Sequence, residues 1–307
     1  MTQLGFIGVG LMGHAMASNV LKAGHGLTVI AHRDRTNVED LVAHGATEAH
    51  SLPDLAARSE IIVLCVSGSP QVEANVLGPD GIAAHAKPGT VVIDCSTSDP
   101  VSTLKLSEVL AEAGIAFADA PLGRTPKEAW AGTLDTMVGA TPEVFSQIKP
   151  ILDCWAGNIV HLGPVGLGHK MKLINNFISM GYGVLFAEAL ALTRKAGLTV
   201  EQFDAVIGSG RMANGFYETF MKWTLERDEN AHRFSIKNGH KDMAYLANLA
   251  VSLGAVNPVQ ETVRNALAAM EAAGQGDRYV PMLADFVAEA NGLPADPSTP
   301  DPSTADP

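Results

Sequence analysis

The feature that most constrains this chain stands at its start. LGFIGVGLMGHAM is a short apolar run, then Gly8, Gly10 and Gly13, then a segment with helical periodicity. A strand that turns on glycine straight into a helix reads as the first βα unit of a parallel sheet covered by helices. In the GxGxxG spacing the glycines permit a tight turn. They also let a pyrophosphate approach the helix N-terminus, where free amides and the helix dipole favour negative charge. Alone, the motif is an ordinary glycine-rich turn. Between a strand and a helix, it predicts a dinucleotide site.

The rest of the first half continues the pattern. Residues 11–23 read as a helix stopped by Gly24, LTVIAH as a second strand, and EIIVLCV and TVVIDCS as further buried strands. AFADAP follows a helix ending at Gly114. Strands alternating with helices predict an α/β fold, a Rossmann doubly wound parallel sheet, over residues 1–163. The pattern changes near Gly163. From Gly166 to Gly197 no proline interrupts a segment that is apolar nearly all round, which predicts one long interdomain helix. Shorter helices follow to about Asn291. Residues 164–293 are therefore expected to form an all-helical domain for substrate binding and dimerisation. With 307 residues, 47% of them hydrophobic, the chain can fill two cores. Residues 294–307, PADPSTPDPSTADP, have nothing to bury and are expected to be disordered.

Charge and cysteine usage narrow the function. A net charge of -12 argues against nucleic acid and anionic membrane as partners, though a local cationic pocket can still take an anionic substrate. Asn175, Asn176 and Glu188 in the most apolar helix argue against a membrane span. The opening MTQLGFIG has no basic region or cleavage site, so no signal peptide is expected. Three cysteines without a CxxC pair fit a reducing, cytoplasmic setting, with Cys65 and Cys95 as core residues. The ten histidines show no zinc-type spacing, and no metal is expected. The long helix carries more apolar surface than one small domain covers, so a homodimer or homotetramer is expected.

The end of the second strand bears on cofactor choice. An NAD-preferring domain places Asp or Glu there for the ribose hydroxyls. Here the chain reads Ala31, His32, Arg33, Asp34, Arg35. A small residue followed by His and Arg leaves room and charge for a 2′-phosphate, so NADP is the expected cofactor. NAD remains the alternative if Asp34 takes the acidic role.

On the long helix, Lys172, Asn175, Asn176 and Ser179 are spaced i, i+3, i+4 and i+7 and share one face. An ammonium, two amides and a hydroxyl on an apolar helix need partners. Those are either a polar seam between helices or a substrate. Lys170 points away from this face. If the partner is a substrate, Lys172 can hand a proton to a carbonyl oxygen or take it back, while the amides orient the substrate. Burial and a second cation, Lys241 or Arg124, would lower its pKa enough for the base role.

GFIGVGLMGHAMASNVLKAGH, DCSTSDP, DAPLGRTP, GHKMKLINN and the spacing from Phe234 to Lys241-Asp242 occur in this order. Through these five motifs the chain resembles the β-hydroxyacid dehydrogenase family from about residue 3 to residue 291. The resemblance implies a nicotinamide-dependent oxidoreductase that passes hydride between the cofactor and a small hydroxy acid or semialdehyde. It makes Lys172 the catalytic lysine and Leu11, Met12, Val66, Ser67, Thr97 and Lys241 cofactor contacts. The common family loop has Ser-Gly-Gly where this chain has Gly123, Arg124 and Thr125. Gly-Arg-Thr resembles the 3-sulfolactaldehyde reductase branch, in which the arginine grips a sulfonate. A small anionic substrate such as 3-sulfolactaldehyde is thus expected, with 3-hydroxyisobutyrate or succinic semialdehyde as alternatives. Ala31 departs from the acidic residue of NAD-using members of that branch. Imine reductases share the architecture but replace the lysine, and a non-catalytic NADP-binding branch has lost it. Lys172 argues against both.

Overall fold

From Leu4 onward every residue of β1 (Gln3–Ile7) is buried, as a strand flanked by strands and covered on both faces must be. The computed structural model describes residues 1–299 and divides into two units, Met1–Leu173 and Ile174 onward. In the first unit β1 is followed by α1 (Gly13–Lys22), β2 (Gly26–Val29), α2 (Thr36–Ala43), β3 (Thr47–Glu48), α3 (Leu52–Arg58) and β4 (Ile61–Leu64). Then come α4 (Ser69–Leu77), α5 (Ile82–His85), β5 (Val91–Asp94), α6 (Pro100–Glu112) and β6 (Ala116–Asp119). β7 (Leu122–Gly123), α7 (Pro126–Ala131), β8 (Leu134–Gly139), α8 (Pro142–Leu152) and β9 (Ala156–Gly163) complete it, with the start of α9 (Leu167–Lys195).

The sheet order is β3-β2-β1-β4-β5-β6-β8-β7, with β9 paired to β8. The first six strands are parallel. This is the Rossmann order, and it reverses between β1 and β4, the switch point where such sheets bind ligands at the carboxyl ends of their strands. Phe6, Val63 and Ile93 pack into one apolar layer with Met16, Val20 and Trp155. Their sequence neighbours Ile7, Ile62, Leu64 and Val92 pack into another with Leu55, Val72 and Leu110. Alternation along the strands therefore feeds helices on both faces. The far edge departs from an all-parallel sheet: β8 runs antiparallel to β6 and β7.

The second unit consists of helices: the rest of α9, α10 (Val200–Ile207), α11 (Gly215–Glu226), α12 (Ile236–Leu253), α13 (Pro258–Met270) and α14 (Leu283–Ala290). Gln260 binds α13 to α12 by donating to the Met243 carbonyl at 2.7 Å. The contact boundary falls inside α9, because the first turns of α9 pack on the sheet. A Cβ on Gly168 would lie 2.4 Å from the Met137 carbonyl oxygen. The Pro294 and Ala295 carbonyls accept from Arg194 and Arg227, and Asp296 pairs with Arg227. Of the tail expected to be disordered, residues 300–307 lie outside the described residues.

Candidate functional site

The glycine turn has the geometry its spacing predicts. Gly8 has φ +95°, and a Cβ there would sit 2.2 Å from the Cys65 carbonyl oxygen at the end of β4. A Cβ on Gly13 would sit 2.0 Å from the Gly8 carbonyl oxygen, so Gly13 lets α1 press against the turn. At Gly10 the space is clear of protein within 4 Å. α1 begins with no side-chain cap and no acid in its first turn. Open space beside an uncapped helix N-terminus is what a pyrophosphate requires, so the residues present fit a dinucleotide. Leu11 is exposed and Met12 half-buried beside this turn.

Past β2, Ala31 is half-buried, and His32 and Arg33 are exposed. Asp34 accepts from the Thr36 backbone N–H at 2.9 Å, and that hydrogen bond holds its carboxyl below the usual range. The carboxylate is thus engaged in starting α2. Arg35 pairs with Glu48 at 2.9 Å and Glu39 at 3.4 Å. Asn37 donates to the Val9 carbonyl at 2.8 Å, tying α2 to the glycine turn.

At the ends of β4 and β5, the Val66 backbone N–H donates to Ser96 Oγ at 3.0 Å. Ser67 is exposed and Thr97 half-buried. Cys65 is half-buried and Cys95 buried, and both pack in the core. Burial pushes the Cys65 thiol up to about 12, which makes it a poor nucleophile.

Three residues that the sequence reading missed hold this region together. Asp94 is buried; its Oδ1 accepts from the Ser96 N–H at 2.9 Å and its Oδ2 from the Ser98 hydroxyl at 2.8 Å. Asp119 is buried and accepts from the backbone N–H groups of Gly166 at 2.6 Å and His169 at 2.7 Å. Burial raises its carboxyl above the ordinary range, against the pull of His169 and those donors. His169 has no exposed surface. The signal available for the carboxylates was an Asp closing each of two otherwise apolar strands.

Lys172 lies one turn beyond His169 and is half-buried. The edge strands carry the loop that departs from the common pattern. Gly123 on β7 faces Asp135 on β8, and a Cβ there would come 3.2 Å from the Asp135 Cβ. Arg124 has φ +74°, a conformation that costs a non-glycine residue roughly 1–2 kcal/mol. Its Nε donates to Asp135 Oδ2 at 2.8 Å, with the side chain half exposed. Asp135 Oδ1 is buried and finds no donor among the described residues. Thr125 caps α7, its N–H and hydroxyl both donating to Glu128.

In the second unit the polar face of α9 is divided. Asn176 is buried and donates to Asp242 Oδ2 at 2.7 Å. Asn175 is exposed, and Ser179 donates back to the Asn175 carbonyl at 3.2 Å. Lys241 Nζ lies 2.9 Å from Asp242 Oδ1 and 5.0 Å from the Tyr245 ring centre. Asp242 thus joins Asn176 to Lys241, a role its place beside Lys241 hinted at.

Two family models match: the NAD binding domain of 6-phosphogluconate dehydrogenase over residues 3–163, and the NAD-binding domain of NADP-dependent 3-hydroxyisobutyrate dehydrogenase over residues 166–284. The 2-(hydroxymethyl)glutarate dehydrogenase of Eubacterium barkeri is 38% identical over 78% of this chain and 80% of its own. The 3-sulfolactaldehyde reductase of Escherichia coli is 30% identical over 96% and 99%. Among solved structures, Mycobacterium tuberculosis 3-hydroxyisobutyrate dehydrogenase with L-serine superposes with a TM-score of 0.84 at 25% identity, covering 94% and 99%.

Proposed function

The chain belongs to the β-hydroxyacid dehydrogenase family, and from that premise we propose that it acts, with NADP preferred, on a short hydroxy acid or aldehyde whose far end is strongly anionic. Family membership makes it an oxidoreductase acting on CH–OH groups with NAD or NADP. When bound, the nicotinamide supplies or accepts the hydride at the carbonyl carbon.

The chain's own residues do the rest. Lys172 holds a proton at Nζ, delivers it to the carbonyl oxygen in reduction and takes it from the hydroxyl in oxidation. Asn175, Asn176 and Ser179 orient the substrate. Asn176 is held in place by its bond to Asp242. Gly8, Gly10, Leu11, Met12 and Gly13 hold the pyrophosphate end. Val66, Ser67, Thr97 and Lys241 hold the remainder, and Ala31, His32 and Arg33 take the 2′-phosphate.

The observation that carries the substrate class is Arg124. Gly123, Arg124 and Thr125 form the substrate loop, and its central residue is an arginine in a left-handed conformation. Non-glycine residues held in that conformation cluster at functional sites. A guanidinium held side-on by Asp135 still offers donors to a sulfonate or second carboxylate. The 3-sulfolactaldehyde and 2-(hydroxymethyl)glutarate of the relatives' names carry one such group each. The test is steady-state turnover of sulfolactaldehyde, succinic semialdehyde, methylmalonate semialdehyde and tartronate semialdehyde, each with NADH and NADPH. The reading expects the highest kcat/KM, with NADPH, for sulfolactaldehyde or succinic semialdehyde, whose anionic group stands at the end of the chain far from the aldehyde. Preference for methylmalonate or tartronate semialdehyde, whose carboxylate sits one carbon nearer the aldehyde, would contradict it.

A second copy of the chain is the proposed partner, in a homodimer or homotetramer. Ile178, Leu185 and Leu192 recur every seven residues on α9 and are 50%, 60% and 70% exposed. A cytoplasmic location fits three free cysteines.

A further inference from the structure

We propose that Asp119 and His169 are positioning residues that fix the first turn of α9 to the ends of β5 and β6, and so set where Lys172 holds its proton. The inference rests on the reading of Lys172 given above.

Where a side chain caps a helix start it is ordinarily the helix's own N-cap residue, as Ser51, Asp99, Thr141, Thr199 and Asn214 do here. At α9 the cap comes from another strand. Asp119 closes β6, and its two oxygens take the N–H groups of Gly166 and His169, 47 and 50 residues further on. The contact is close because glycine permits it: a Cβ on Gly168 would lie 2.8 Å from Asp119 Oδ2, and one on Gly139 would lie 2.3 Å from Oδ1. A buried carboxylate is a costly way to gain stability alone, since an apolar residue of similar size does as well. What it adds is direction, because two short hydrogen bonds hold the helix start at one height and rotation.

His169 adds a second tie. Its Nε2 donates to the Ser96 carbonyl at 3.1 Å, and its Nδ1 lies 2.7 Å from the Thr103 hydroxyl. It also stands 3.7 Å from Asp94 Oδ2 and 3.9 Å from Asp119 Oδ2. Ser96 is the residue whose hydroxyl holds the Val66 N–H. A continuous chain of bonds thus runs from the Val66 loop through Ser96 to His169. Lys172 follows His169 by three positions, about one helical turn. The loop proposed to contact the cofactor and the helix turn bearing Lys172 are referenced to the same serine. Proton transfer is sensitive to such registration: an error of about 1 Å can cost roughly 10²-fold in rate.

The test uses the full-length enzyme and a double-mutant design. His169→Ala, His169→Gln and Thr103→Val are each made in the wild type and in Lys172→Ala. Measured are kcat, KM, the NADPH Kd by fluorescence titration, and Tm. If the residues act through Lys172, His169→Ala lowers kcat about tenfold or more and Thr103→Val several-fold, with Kd changed less than about twofold. His169→Gln keeps a donor for the Ser96 carbonyl and recovers most of the rate. In Lys172→Ala the same substitutions cause no further loss. Equal fractional losses in both backgrounds, or no loss in the wild type, would overturn the proposal. Thr103→Val, a change of near-equal volume, decides the matter by itself if His169→Ala does not fold. Wild-type turnover in Lys172→Ala would instead remove the reading of Lys172, and this inference with it.

Discussion

Arg33 and Arg35 stand two positions apart with the same charge, yet their surroundings give them different work. Arg35 is held by Glu39 and Glu48, and Asp34 by Thr36, whereas Arg33 has no acidic partner among the described residues. Arg33→Ala should weaken NADPH by about 1.5–3 kcal/mol, the worth of a hydrogen bond to a charged group, and leave NADH nearly unaffected. Titration with both cofactors checks it; equal losses would show that Arg33 does not read the 2′-phosphate. Arg124 is a different case, because its geometry is already fixed by Asp135 at 2.8 Å. Arg124→Lys keeps the charge but loses the planar fork, and should lose much of the activity. Arg124→Ala should raise KM steeply for an anionic aldehyde and matter little for a neutral one of matched size. Equal losses on both substrates would reduce Arg124 to a support of the loop.

Among the elements, α9 carries the most testable surface. Ile178, Leu185 and Leu192 form a stripe that water meets unless something covers it, and each buried leucine or isoleucine is worth about 1.5–3 kcal/mol. Light scattering on the wild type should report a dimer or tetramer, and Leu185→Lys should shift it toward monomer. A wild-type monomer would contradict the pairing. So would partition of the protein onto lipid vesicles, since α9 also has the length and apolarity of a membrane span. α9 was legible because no proline breaks it and glycines bracket it, and β1, β4, β5 and β6 because valine and isoleucine crowd them. The β7–β8–β9 edge was not. β7 has two residues, and β8 alternates buried with half-buried positions in a segment whose pairing is set by distant chain. With that edge went Asp135, the partner of Arg124. The pairing of Asn176 with Asp242 was hidden for the same reason: it spans 66 residues and leaves no local periodicity. Asp119 and His169 were obscured because single polar residues at the ends of apolar runs read equally well as turns.

The whole molecule combines a dinucleotide-binding sheet with a helical unit that begins within a single helix, and the proposed chemistry turns on one lysine of that helix. An acidic protein of net charge -12 that takes an anionic substrate must concentrate its cations where they are used, and Arg33, Arg124, Lys172 and Lys241 are the ones so assigned. Of these, Lys172 carries the central claim. The direct measurement is single-turnover and steady-state reduction of an anionic semialdehyde by Lys172→Ala, alongside its NADPH Kd. A loss of about 10²-fold or more in kcat with cofactor affinity little changed is the predicted result. Turnover near that of the wild type would contradict it.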